Sequence, residues 1–126
     1  MVGALLALVS ACAAPRQDRR LRAGRDDAGA GFGEGLASFY GPGLYGRKMA
    51  NGEVLRRGMR IAAHRTLRFG TCLDVRNLRN GRATRVHVTD RGPFVGGRVL
   101  DVSEVAADEL GMRSEGVTRV RFQRCD

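Results

Sequence analysis

Tryptophan is absent from the 126 residues, lysine occurs once, at Lys48, and the two histidines stand apart from the three cysteines. With no Trp, and with two Tyr and five Phe spread among the arginines, the chain has no aromatic ladder on which successive bases could stack, so nucleic acid is not expected as a partner. No C-x-x-C occurs, and His64 and His87 lack ligand spacing, which argues against zinc; no metal and no organic cofactor are expected. No apolar run reaches the roughly 18 residues needed to cross a bilayer. Acidic residues are the minority: 13 Asp and Glu face 22 Lys and Arg, a formal charge of +9 that favours anionic partners without choosing among them. The length leaves room for one modest domain and a tail.

What is present begins with an apolar stretch, "MVGALLALVSAC", of the length of a secretory h-region but with no basic residue before it. Val9-Ser10-Ala11-Cys12 resembles a bacterial lipobox, so residues 1–12 are expected to be a signal peptide ending at a lipidated Cys12. Residues 13–33 mix Arg, Asp, Ala and Gly with almost no large apolar residue and are expected to form a disordered basic tether. If Cys12 carries lipid, Cys72 and Cys125 remain as an even pair, and in an exported chain that pair is expected to form a disulfide.

From Glu34 onward, strands of four to eight residues alternate with glycine turns, the punctuation of an all-β domain. "TCLDVRNLRNGRATRVHVTD" reads as a hairpin, with Asn80 and Gly81 supplying positive φ angles at its turn. Period-two parity puts Leu73 and Val75 on one face and Val86, Val88 and Asp90 on another, toward the interior or a cleft, with His87 opposite. "SEVAADELG" reads as a short helix capped by Ser103, closed by Gly111 and apolar along Val105, Ala106 and Leu110. One short helix among such strands suggests a small closed barrel. Asp90 and Asp101 stand where a strand would gain more from another valine, although a turn-capping role accounts for either on residue type alone.

The stretches "ASFYG", "GRKMANGE", "AAHRTLRFGT", "NLRNGR", "VTDRGPFVGGRVLDVSEVAADELGM" and "GVTRVRF" together resemble the rare lipoprotein A (RlpA) family of septal-ring lytic transglycosylases, over about residues 35–123. The resemblance implies a mainly β, double-psi β-barrel at residues 34–126, a fold shared more distantly with expansins. It implies Glu53, His64 and Asp90 as catalytic residues, from the motifs Asn51-Gly52-Glu53, Ala62-Ala63-His64 and Asp90-Arg91-Gly92-Pro93. Asp101, Tyr40 and Arg91 are expected beside them at the substrate. Phe39 stands where the family usually has Trp, Tyr45 where it often has His, Met49 where it has Thr and Arg68 where it has Pro. Three of these, Phe39, Tyr45 and Met49, are expected in loops that touch glycan. The family's peptidoglycan-binding SPOR domain has no counterpart in these residues.

The implied activity breaks the bond between N-acetylmuramic acid and N-acetylglucosamine in peptidoglycan glycan strands without water, leaving a 1,6-anhydro end. One carboxyl group can donate the proton and take it back, provided its pKa is raised by burial or a neighbouring carboxylate. Asp90 is the expected proton carrier, with Glu53 or Asp101 as the nearby anion and His64 orienting a carboxyl group or the sugar. The implied setting is the bacterial cell envelope, with a lipid-anchored position at a membrane surface facing the periplasm and division-septum proteins as partners. Two rival readings are a non-catalytic expansin-like wall-binding module and a true hydrolase.

Overall fold

Leu73 and Val75 are buried against Val86 and Val88, while Asp74, Arg76, Arg85 and His87 turn outward, so the period-two pattern is realised as a hairpin. The computed structural model describes residues 32–125; Cys12, the expected signal peptide and all but the last two residues of the expected tether lie outside the described residues. The elements are β1 (Phe32–Phe39), a 3-10 turn (Pro42–Leu44), β2 (Ile61–Ala63), β3 (Cys72–Asn77), β4 (Ala83–Asp90), β5 (Arg98–Val102), α1 (Glu104–Leu110) and β6 (Thr118–Arg124). β1 takes in Phe32 and Gly33, which the sequence pattern leaves in the tether.

The six strands close into a barrel in the order β1-β5-β2-β4-β3-β6. β1 runs parallel to β5 and β2 parallel to β4, while every other neighbour is antiparallel. This is the double-psi β-barrel, mainly β with one short helix. Phe122, Leu73, Val75, Val86, Val88, Leu100, Val102 and Val120 fill the interior. Each such side chain contributes about 1.5–3 kcal/mol by leaving water. Gly33 makes room for the largest of them, since a Cβ there would lie 2.4 Å from Cζ of Phe122.

β2 is only three residues long and is buried on both faces. Ala62 faces the barrel interior, whereas Ile61 and Ala63 face a second cluster with Tyr40, Met49 and Leu55 from the long β1–β2 connection. That connection forms an outer layer over β2, and the candidate site lies beneath its edge. Cys72 and Cys125 are joined by a disulfide with Cα atoms 5.4 Å apart, tying the start of β3 to the end of β6.

Two local expectations are corrected. Only Gly81 of the hairpin turn has positive φ, at 78°, and Asn80 does not. The loop is longer than a two-residue turn: Gly81 N–H donates to the Asn77 carbonyl and Asn77 N–H to the Arg82 carbonyl, each at 2.8 Å. The Asn80 side chain instead accepts from Arg82 N–H and donates to the carbonyl of Leu110. At the helix, Ser103 holds the N-cap position without a side-chain cap, because its Oγ faces the backbone N–H of Ile61 on β2. Gly111 closes the helix in the left-handed region as expected, and the buried face is Ala106, Ala107 and Leu110 rather than Val105.

Candidate active site

The register across β2 assembles the site. Ala63 pairs with Asp101 of β5 on one side and with Asp90 of β4 on the other. Between Ala62 and Ala63 the β2–β4 register shifts by one residue, so Thr89 and Asp90 together oppose one position. The bulge reverses the parity expected for Asp90. Val86 and Val88 face the interior, but Asp90 turns with Thr89 to the outer face, where Ala63 lies. The two aspartates therefore flank one small residue, with their Cα atoms about 10 Å apart, two strand spacings.

Asp90 is held by three donors. Its Oδ2 accepts from Tyr40 Oη at 2.7 Å, and its Oδ1 accepts from the backbone N–H of Ala50 at 2.8 Å and of Arg91 at 2.9 Å. Tyr40 is buried, and burial followed by its bond to Asp90 raises its pKa far above the ordinary tyrosine value, so it remains a donor at any physiological pH. The Ala50 contact pins the β1–β2 connection onto the end of β4, reinforced by Asn51 N–H donating to the Thr89 carbonyl at 3.1 Å. A cleft of about 180 Å³ opens beside Asp90, lined also by Tyr40, Arg47, Lys48, Met49 and Leu55. Glu53 sits on the same connection, exposed. Its carboxylate accepts from Asn51 Nδ2 at 2.7 Å, and Asn51 Oδ1 accepts Glu53 N–H at 2.9 Å, so the Asn51-Gly52-Glu53 motif is a self-bonded turn.

Asp101 is held from the side of β1. It is half-buried, paired in register with Ser38, and Ser38 Oγ donates to its Oδ1 at 3.1 Å. Burial pushes its pKa above the usual aspartate value; the Ser38 bond and the Arg98 charge oppose this and the Asp90 charge adds to it. Burial thus favours the protonated form of the Asp101 carboxyl.

His64 and Arg91 both bond to the backbone of the turn after β2. The His64 imidazole is buried, and its Nδ1 accepts the backbone N–H groups of Thr66 and Leu67, both at 3.1 Å. Its ring packs edge-on against Phe122, and among the described residues no carboxylate bonds to it. Burial first, then the charges of Arg65 and Arg91, lower its pKa to about 4, so it is neutral near pH 7. The Arg91 guanidinium donates to the carbonyls of His64, at 3.1 Å, and Leu67, at 2.6 Å, and lies 4.0 Å from the centre of the Phe69 ring. Both residues fix the turn after β2, and with it the backbone bond from His64 N–H to the Asp90 carbonyl at 3.1 Å.

Two of the departures from the family pattern, Phe39 and Met49, turn inward. Phe39 lies within β1 rather than in a loop and packs on the core. Met49 is buried, its sulfur accepting from Thr89 Oγ1 at 3.2 Å while its side chain lines the cleft. Tyr45 donates to Glu104 at the start of α1, under Arg57, and thereby ties the outer layer to the helix.

A family model described as lytic transglycolase matches residues 33–122 of this chain. The chain belongs to the lytic transglycolase family. Within it, 86 residues are 55% identical to a Synechocystis protein named probable endolytic peptidoglycan transglycosylase RlpA, covering 68% of this chain and 27% of that protein. Another 46% identity over 90 residues, 71% of this chain and 33% of the other, links it to the endolytic peptidoglycan transglycosylase RlpA of Campylobacter jejuni. The chain thus spans about a third or less of these curated relatives. Among solved structures, the Streptomyces papain inhibitor matches with a TM-score of 0.61 at 20% identity, over 75% of this chain and 94% of that one. A Clavibacter michiganensis expansin mutant, crystallised with cellohexaose, matches at 0.60 and 22% over 75% of this chain and 50% of that one. These two likenesses concern the fold. On this lytic transglycolase barrel, sequence reasoning missed Ser38 and Ala63 as site residues. Both lie inside quoted motifs, but only strand pairing reveals that one bonds Asp101 and the other spaces the carboxyls.

Proposed function

We propose that this barrel is a lytic transglycosylase acting on the glycan strands of peptidoglycan in the bacterial cell envelope. The observation that carries the reading is the pair of carboxyls on one face, Asp90 and Asp101 on either side of Ala63, one fixed by three donors and the other half-buried with a raised pKa. In this reading Asp101 gives its proton to the glycosidic oxygen as the bond from muramoyl C1 breaks. Asp90 supplies the preorganised negative charge for the oxocarbenium-like carbon. The C6 hydroxyl of the same sugar then closes on C1, and its proton returns to Asp101, so the enzyme is regenerated and no water is consumed. Glu53, at the exposed lip, contacts the sugar; His64 acts as a positioning residue. The names of the relatives support the substrate class.

End-group analysis of digested glycan strands by mass spectrometry tests the reading. Muropeptides with 1,6-anhydro ends are expected; new reducing ends would mean hydrolysis, and no cleavage would favour an expansin-like binding module. The further proposals are a lipid at Cys12, a position at a periplasm-facing membrane surface and division-septum partners. Intact mass of membrane-extracted protein carrying a free Cys12 thiol would overturn the first.

A further inference from the structure

The outer side of the barrel away from the cleft is formed by β1, β6, β3 and the start of β4, and the register sets its side chains on a grid. In one row Glu34 stands opposite Arg121, Arg121 opposite Arg76 and Arg76 opposite Ala83. In the next, Gln123 stands opposite Asp74 and Asp74 opposite Arg85. Most of the charges are matched: Arg85 lies 2.9 Å from Asp74, and Arg121 and Arg119 lie 3.1 and 3.6 Å from Glu34. Arg76, in the middle of this face, is unmatched. It directly faces another arginine, a cross-strand pairing that costs stability, and it forms no carboxylate contact among the described residues. Its guanidinium donates to the Gly81 carbonyl at 2.6 Å, away from Arg121, which leans to Glu34. Between them lies a groove of about 510 Å³, walled also by Asp74, Gln123 and the small Ala83. That size falls within the roughly 300–1,000 Å³ typical of small-ligand sites.

We propose that this groove is a second binding site, for a peptide carboxylate with an N–H donor next to it. To take the carboxylate the Arg76 guanidinium turns from the Gly81 carbonyl and that of Arg121 from Glu34, and the planar fork of each suits that group. Gln123 donates to a neighbouring carbonyl, and Asp74 accepts the flanking N–H. An anionic bilayer is the poorer fit. The site is concave, and Asp74 and Glu34 interrupt the single-sign field that a lipid surface requires. On the reading proposed above, the ligand is a peptide borne by the wall polymer, held on one side of the barrel while glycan occupies the cleft on the other.

The test is a titration of the isotope-labelled full chain with N-acetyl-tetraalanine, which has a free C-terminal carboxylate, and with its C-terminal amide, followed by amide chemical shifts. The expected result is shifts confined to β3, β6 and the start of β4, with the amide bound at least fivefold more weakly. Arg76→Ala should weaken the free acid at least fivefold, with the melting temperature unchanged or raised, where a merely structural Arg76 would lower it. Equal binding of the two peptides, shifts centred on Asp90, no response, or an unaffected Arg76→Ala would each overturn the proposal. Cleavage is not read in this titration, so failure here leaves the assignment of the cleft intact, and an inactive cleft leaves this one intact.

Discussion

His64 accepts two backbone N–H groups through Nδ1, so protonating that nitrogen breaks the turn it holds. Its pKa of about 4 in the folded protein lies below the value near 6.5 of an unfolded chain, so the unfolded state takes up the proton first. The stability this contributes is complete above about pH 6.5 and is lost as pH falls toward 4, amounting to about 3 kcal/mol. Thermal melts from pH 7 to 4 should show this loss, and His64→Asn, whose Oδ1 accepts in the same place, should flatten the curve. An unchanged pH dependence in that variant would show that the imidazole is not the titrating group. Tyr40→Phe removes the hydroxyl that bonds Asp90. It should lower stability by about 1.5–3 kcal/mol and cleavage by roughly tenfold, measured by calorimetry and by release of anhydro-ended products. Asp90 and Asp101 were both legible as misplaced strand residues, because a carboxylate among valines needs a reason. The Ser38 contact to Asp101 was not, since it depends on the pairing with β1, distant in sequence.

At the scale of elements, the alternating pattern of β3 and β4 was readable because every second residue faces one shared core. The bulge at Thr89 and Asp90 was not, because the shift arises from pairing with β2, a three-residue strand that "IAA" announces only weakly. The same holds at the hairpin turn, where Asn80 is recruited by the end of α1 instead of adopting positive φ. Gly33 permits β1 to cross Phe122, so Gly33→Ala should cost about 1–3 kcal/mol through overpacking, seen as a lower denaturation midpoint with an unchanged slope. The disulfide spans a sequence separation of 53 residues and ties β6 to β3. In the chain-entropy model it contributes about 4 kcal/mol, and Cys125→Ser should lose 2–4 kcal/mol of that in equilibrium unfolding without reductant. Full alkylation of both thiols in unreduced protein would contradict the bond.

At the scale of the whole molecule, the closed barrel supplies a rigid platform, and the β1–β2 connection laid over its outer face supplies one wall of the cleft. Family motifs made the barrel legible from the chain; the outward placement of the carboxyls emerged only from closure, which fixes β2 between β4 and β5. The central claim is that Asp101 carries the proton, with Asp90 beyond Ala63 on the same face as the anion. The most direct measurement is the initial rate of anhydro-end formation by Asp101→Asn against the unaltered chain, with melting recorded on the same samples. An amide keeps the shape but cannot exchange the proton, so the rate should fall by two to four orders of magnitude, the scale of general acid catalysis, while the fold stays intact. A correctly folded Asp101→Asn protein that forms anhydro ends at the unaltered rate would contradict the account.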